Sequence, residues 1–259
     1  MITSTNNAQI KDIMNLMKKS GERKRRGLFV IEGIRMFEEI PRERLQKVYA
    51  SESFAGAHPA LLAGKNAEIV SDGVYKTMSD TKNPQGILAL VEQLSYSMED
   101  LMGDGKRPPC LVVLENLQDP GNLGTIIRTA EGAGASGVLL SKDCVDLYNP
   151  KVIRSTMGAL FRMPFLYVED IRAAVEELQK QGIRCLAAHL RGEHFYTEED
   201  LTGPLAILIG NEGNGLTEEL ANQADTYVKI PMEGQLESLN AAVSAAVLLY
   251  EAYRQRGKI

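Results

Sequence analysis

The stretch Leu114-Glu115-Asn116-Leu117-Gln118-Asp119-Pro120-Gly121-Asn122-Leu123-Gly124-Thr125-Ile126-Ile127-Arg128-Thr129-Ala130 changes character twice in seventeen residues. Its start closes an apolar run from Cys110 that suits a buried strand. The middle is rich in turn formers, and from Leu123 the apolar residues recur at helical spacing. The loop stands where an α/β sheet binds its ligands, beyond the carboxyl end of a strand. Asn122 occupies the expected N-cap of the helix, and Arg128, six residues and nearly two turns later, is expected on the same side.

The same alternation extends to the end of the chain. Strands are expected at 110–114, 138–140, 165–168, 185–188, 206–209 and 227–230, and helices at 123–131, 151–161, 171–181, 218–221 and 239–254. Near-continuous apolar strands in βαβα order predict an α/β fold with a mostly parallel sheet covered on both faces. Upstream, residues 8–19 are amphipathic, 28–31 extended, 35–39 helical, and 47–50 and 87–91 extended, the pattern of a small α/β domain. Between them, 92–109 is polar and carries Gly103, Gly105 and the Pro108-Pro109 pair, a linker composition. The expected domains are therefore residues 1–100 and 108–259.

The net charge of −5 runs against a nucleic-acid partner, but the charge is unevenly spread. Residues 1–100 hold 14 basic and 13 acidic residues, and 101–259 hold 15 and 21. Lys18, Lys19, Arg23, Lys24, Arg25 and Arg26 crowd around Ser20-Gly21, a composition that reads as a solvated turn able to meet phosphates. Cys110, Cys144 and Cys185 are widely spaced among aliphatic residues and read as small core residues, without a disulfide framework or metal site. His58, His189 and His194 read as surface or packing residues, so no metal is expected. With no apolar run long enough to cross a bilayer and a polar start unlike a secretory signal, the expected location is cytoplasmic.

Gly132-Ala133-Gly134-Ala135-Ser136-Gly137 has the spacing of a dinucleotide-binding fingerprint, but a helix precedes it and a strand follows, the reverse of what that fingerprint needs. These glycines are expected to end a helix. Two further segments repeat the arrangement of strand end followed by polar loop. Leu208-Ile209-Gly210-Asn211-Glu212-Gly213-Asn214-Gly215-Leu216 ends a strand in glycines that would let a ligand approach the backbone. Ile230-Pro231-Met232-Glu233-Gly234-Gln235-Leu236-Glu237-Ser238-Leu239-Asn240-Ala241 leads into a small-residue helix, with Ser238 its expected cap and Asn240 an amide at the same mouth.

In order and spacing, these three segments resemble the three motifs of the SpoU (TrmH) family of RNA 2′-O-ribose methyltransferases. The resemblance implies a SPOUT fold whose C-terminal stretch is threaded into a trefoil knot, a topology that ordinary connection rules would not suggest. It also implies a homodimer, an RNA substrate and S-adenosylmethionine held by backbone groups around Leu208, Gly210, Ile230, Met232 and Leu239. Arg128 is the implied catalytic residue, with Asn122, Glu212, Ser238 and Asn240 orienting it, the ribose and the cofactor. Because a guanidinium carries only donors, stabilising the developing alkoxide suits Arg128 better than simple base catalysis, although the family's proposals include both roles. Phe29-Val30-Ile31-Glu32-Gly33 and Asn83-Pro84-Gln85-Gly86-Ile87 resemble the small L30e-like substrate-binding domain of the family, which favours ribosomal RNA. Transfer RNA, methylation of a base nitrogen and a non-catalytic RNA-binding assembly role are the competing readings.

Overall fold

The computed structural model describes residues 1–192 and 194–258. They divide into two compact units, 1–94 with 146–161, and 95–145 with 162–259. The first unit opens with α1 (Ala8–Lys18), in which Ile10, Ile13 and Leu16 recur at helical spacing and are buried, and Asn7 caps the helix through the Gln9 amide (2.8 Å). Then follow α2 (Ser20–Arg26), β1 (Leu28–Glu32), α3 (Ile34–Glu38), β2 (Leu45–Ser51), α4 (Glu52–Ala57), α5 (Pro59–Leu62), β3 (Ala67–Val70), α6 (Asp72–Met78) and β4 (Ile87–Glu92). The sheet order is β1-β4-β2-β3, antiparallel except for β2 and β3. The α1 residues pack with Val30, Tyr49, Tyr75 and Leu88.

The basic segment is a helix rather than the solvated turn expected. Helix α2 stops at Gly27, whose φ of 63° suits a residue without a Cβ. Arg23 is only 3% exposed. Its Nη1 donates to the Leu16 (2.6 Å) and Met17 (3.0 Å) carbonyls, and its Nε (2.8 Å) and Nη2 (2.6 Å) donate to Asp146 Oδ2. Arg25 pairs with Glu22 and Arg26 with Asp12. Lys18, Lys19 and Lys24 are exposed and, among the described residues, make no ion pair.

The second unit begins with α7 (Met98–Leu101) and continues through β5 (Cys110–Leu114), α8 (Pro120–Ala133) and β6 (Gly137–Ser141). After β6 the chain leaves for 146–161, which contains α9 (Pro150–Thr156). It then returns as β7 (Phe165–Val168), α10 (Ile171–Lys180), β8 (Arg184–Ala188), β9 (His194–Phe195), β10 (Leu205–Ile209), α11 (Glu218–Ala221), β11 (Thr226–Lys229) and α12 (Ala241–Tyr253). The seven strands lie in the order β7-β6-β5-β10-β8-β11-β9, and every pairing is parallel. Strands β5, β6 and β10 are buried at every position, which is why their sequences are continuous apolar runs.

Three local features depart from the sequence pattern. The polar 92–109 stretch contains α7, started by a Ser97–Asp100 capping box, and its Leu101 is fully buried. A Cβ on Gly137 would lie 2.5 Å from the Leu101 side chain. The helix expected over 151–161 ends at Thr156, because Met157 and Gly158 turn to φ 51° and 93°. Residues 146–161, expected in the sheet domain, are grouped with the first unit: Tyr148 packs on Phe29 at 4.6 Å between ring centroids and exchanges two hydrogen bonds with the Leu94 backbone (2.8 and 3.1 Å). Gly134 ends α8 in the left-handed conformation, as the strand that follows demands. The three cysteines are free and buried. Among the described residues, no helix is long and apolar enough to cross a membrane.

Candidate active site

The three polar loops named in the sequence meet at the carboxyl ends of β5 and β10. Where β5 ends, Glu115 is 5% exposed; its Oε2 accepts from the Thr217 amide (2.7 Å) and its Oε1 from the Thr217 hydroxyl (2.8 Å). This ties the loop after β5 to the start of α11, because an unpaired carboxylate at that depth would be costly. Asp119, not Asn122, caps α8: its Oδ1 accepts from the Asn122 amide (2.8 Å), and Pro120 fills the first helical position, where no N–H is missed.

Asn122 is thereby left with a free side chain, and its two ends are both used. Its Nδ2 donates to Glu212 Oε1 (3.0 Å), and its Oδ1 accepts from Asn240 Nδ2 (2.9 Å). Asn240, not Ser238, caps α12, with its Oδ1 accepting from the Ala242 (2.9 Å) and Val243 (3.3 Å) amides. Glu212 also accepts from the amides of Asp119 (2.8 Å) and Gln118 (3.1 Å). Every donor in this chain points the same way, from the positive end of α12 through two amides to a carboxylate, so each group polarises the next. Burial pushes the Glu212 carboxyl up, but the bonds from Asn122 and the two amides outweigh it and hold the group below its ordinary value. Glu212 is therefore an anion that shapes the loop.

The loop after β10 is closed on itself. Asn211 and Gly215 exchange two backbone hydrogen bonds of 2.9 Å, and Asn211 Nδ2 reaches the Asn116 carbonyl (2.8 Å). A Cβ on Gly210 would lie 2.0 Å from the Gly215 backbone. The glycine is required by this closure, whereas the sequence suggested that a ligand approaches there.

Arg128 does not share a side with Asn122. Six residues at about 100° each leave them about 120° apart. Arg128 is exposed and, among the described residues, has no hydrogen bond or ion pair, while Asn122 lies in the bonded cluster. Ser238 is likewise exposed and unbonded. Leu208 is buried in β10, Ile230 and Met232 are half-buried after β11, and Leu239 is half-buried before α12. Between these last positions, the backbone amides of residues 232–239 find no acceptor among the described residues. The sequence reading missed Glu115, Asp119 and Thr217. Asp119 carried a signal, since an Asp before a Pro is itself a helix-start signature.

Residues 109–250 match the SpoU rRNA Methylase family, and residues 7–89 match the MRM3-like substrate binding domain. The chain is similar to an uncharacterised tRNA/rRNA methyltransferase of Synechocystis sp., at 32% identity over 98% of this chain and 94% of the relative. It is also similar to the 23S rRNA (guanosine(2553)-2′-O)-methyltransferase RlmP of Bacillus subtilis, at 31% identity over 96% and 97%. Among solved structures, the AdoMet-bound rRNA methyltransferase from Sinorhizobium meliloti superposes with a TM-score of 0.86 at 30% identity, covering 98% of this chain and 97% of that one.

Proposed function

The chain belongs to the SpoU rRNA methylase family, and on that premise we propose that its three-loop cluster transfers a methyl group from S-adenosylmethionine to a ribose 2′-hydroxyl of ribosomal RNA in the cytoplasm. The observation that carries this reading is the hydrogen-bonded chain from Asn240 through Asn122 to Glu212, which joins all three motifs and leaves Arg128, on the same helix as Asn122, exposed and unbonded. The unclaimed amides of residues 232–239 fit a nucleoside cofactor held by main-chain groups, with the half-buried Ile230, Met232 and Leu239 as apolar walls, Leu208 packed into the core at the end of β10 and Gly210 keeping the adjoining loop closed.

When bound, S-adenosylmethionine supplies an electrophilic methyl on a sulfonium. The chain's own task is to aim the ribose oxygen at it and to accommodate the charge that develops as the hydroxyl loses its proton. Arg128, with five donors and no competing partner, stabilises that oxygen. Asn122 and Asn240, locked at both ends, orient the ribose, and Glu212 fixes the loop from which α8 departs. Ser238 offers a free hydroxyl at the same mouth.

A homodimer belongs to this reading. Helix α12 is apolar on nearly every side, packs on α8 and β10, and still leaves Val243 and Tyr250 about half exposed. The trefoil knot is supported by the strand order, in which β10 enters between two strands made earlier in the chain. The L30e-like reading of the first domain rests on its mixed four-stranded sheet, and Lys18, Lys19 and Lys24 are its free cations for phosphate.

The test is transfer of labelled methyl from S-adenosylmethionine to total RNA of a strain lacking this protein. The expected product is one alkali-resistant dinucleotide in ribosomal RNA, since cleavage at that bond needs the 2′-hydroxyl. Label confined to transfer RNA, or to an alkali-sensitive nucleotide, would refute the assignment.

A further inference from the structure

Glu115 is the first residue after β5, and it holds the loop after β10 at both ends, entirely within the second unit. Its backbone amide donates to the carbonyl of Ile209, the last residue of β10 (3.0 Å). Its carboxylate takes both donors of Thr217, the amide on Oε2 (2.7 Å) and the hydroxyl on Oε1 (2.8 Å). One residue thus brackets positions 210–216, from the exit of the strand to the cap of α11. Inside the bracket, Asn211 Nδ2 donates to the Asn116 carbonyl (2.8 Å), and Asn211 Oδ1 accepts from the Gly213 (2.9 Å) and Asn214 (3.2 Å) amides. Glu212 lies there too, as the acceptor for the Gln118 and Asp119 amides and for the Asn122 side chain.

Glu115 is 5% exposed, so the water its oxygens lose has to be replaced by donors of the chain. Thr217 replaces it on both oxygens. The hydroxyl that donates to Oε1 also accepts from the Leu220 amide (3.3 Å) and so caps α11. A hydroxyl can do both, having one donor and two acceptor sites; a carboxylate at 217 could cap the helix but would give Glu115 nothing. Leu216, just before Thr217, is buried in the core with Leu208 and Leu220. With that end packed and the Asn211–Gly215 backbone pair closing the rest, a shift at Thr217 is passed on to Glu212.

We propose that Glu115 and Thr217 are positioning residues for methyl transfer. By holding the loop after β10 at its two ends, they fix where the Glu212 carboxylate meets the Gln118 and Asp119 amides and the Asn122 side chain. The proposal rests on the methyltransferase reading above. Both residues act through Glu212, which in turn holds Asn122, and not on the reacting atoms.

The experiment compares Thr217→Asp with Thr217→Ser in the full-length protein. Aspartate keeps a helix cap but offers Glu115 no side-chain donor, whereas serine keeps both contacts. Single-turnover transfer at saturating RNA and S-adenosylmethionine is expected to fall about tenfold in Thr217→Asp, with both affinities within about twofold, and to be largely restored in Thr217→Ser. A wild-type rate in Thr217→Asp would reduce Thr217 to a cap and overturn the proposal, as would an equal loss in Thr217→Ser. Adding Thr217→Asp to Glu212→Gln should lower the rate no further than the slower single variant, because both act through one carboxylate; multiplied losses would also overturn it. Hydrogen exchange at the Gln118 and Asp119 amides gives a readout that needs no turnover. Faster exchange in Thr217→Asp supports the bracket and unchanged exchange refutes it, even if the wild type transfers no methyl and the functional reading fails. Should Thr217→Asp not fold, Thr217→Val takes its place in the same measurements.

Discussion

At the mouth of the seven-stranded sheet, the side chains of Asn122, Glu212 and Asn240 are all engaged in hydrogen bonds to one another or to backbone. Helix α2 and its approach are richer in charge, yet Arg23, Arg25 and Arg26 are satisfied by carboxylates and carbonyls of the same unit, and only the lysines remain free. Both regions read as sites in the sequence. The difference lies in what each residue type can do. Five donors on a planar fork make arginine as suited to burying a carboxylate as to meeting a phosphate, so a basic run identifies a charge and not its partner. An asparagine at the end of an apolar strand has fewer uses, and its place in a loop between strand and helix narrows them to capping or to a site.

The largest effect that would break this comparison is expected at Arg128, the one arginine considered that is left unbonded. Arg128→Ala should lower single-turnover methyl transfer by about 10³-fold, the upper range for removing one stabilising donor, while S-adenosylmethionine affinity changes only a few-fold. Turnover at the wild-type rate would remove Arg128 from the reaction. A smaller loss is expected from Glu212→Gln, which keeps the shape but turns one acceptor oxygen into a donor facing N–H groups. Transfer should fall about tenfold, and thermal unfolding should come about 2–4 °C earlier, equivalent to about 1 kcal/mol. The sign of its pH dependence is fixed. The folded carboxyl sits below its ordinary value of 4.5, so its stabilisation is complete above that value and disappears as the pH falls through the lowered one. The gap in melting temperature between wild type and Glu212→Gln should therefore be widest near neutral pH and shrink below pH 4.5. A constant gap would show that the charge is irrelevant.

The parallel sheet was legible because its strands are buried on both faces and leave unbroken apolar runs such as Cys110–Leu114. Strand β9, two residues at the sheet edge, leaves no such trace. The excursion 146–161 was illegible for a different reason. A short helix looks alike whichever unit it packs on, and contacts between residues far apart in sequence, such as Tyr148 against Phe29 and Asp146 against Arg23, decide the matter. At the site, the candidate residues were visible as polar interruptions, but their division of labour was not. Either Asp119 or Asn122 could cap α8, and either Ser238 or Asn240 could cap α12. The choice falls to the residue whose backbone takes the extended conformation just before the first helical turn, which leaves Asn122 free to bridge.

The smallest expected effect sharpens the comparison from the side of the lysines. If charge in the first unit serves RNA, it is carried by Lys18, Lys19 and Lys24. Replacing all three with alanine should weaken RNA binding about tenfold at moderate salt and reduce the dependence of log affinity on log salt by about one per lost phosphate contact. The transfer rate at saturating RNA should stay close to wild type, because none of the three belongs to the bonded cluster of Asn122, Glu212 and Asn240. Measured beside Arg23→Lys, the triple variant separates two kinds of basic residue that are adjacent in sequence: exposed lysines alter affinity and its salt dependence, and the buried arginine alters the stability of the first unit. If the lysine variant instead left affinity and its salt dependence untouched, the division between phosphate contact and internal bonding drawn along helix α2 would be wrong, and the three lysines would not meet RNA.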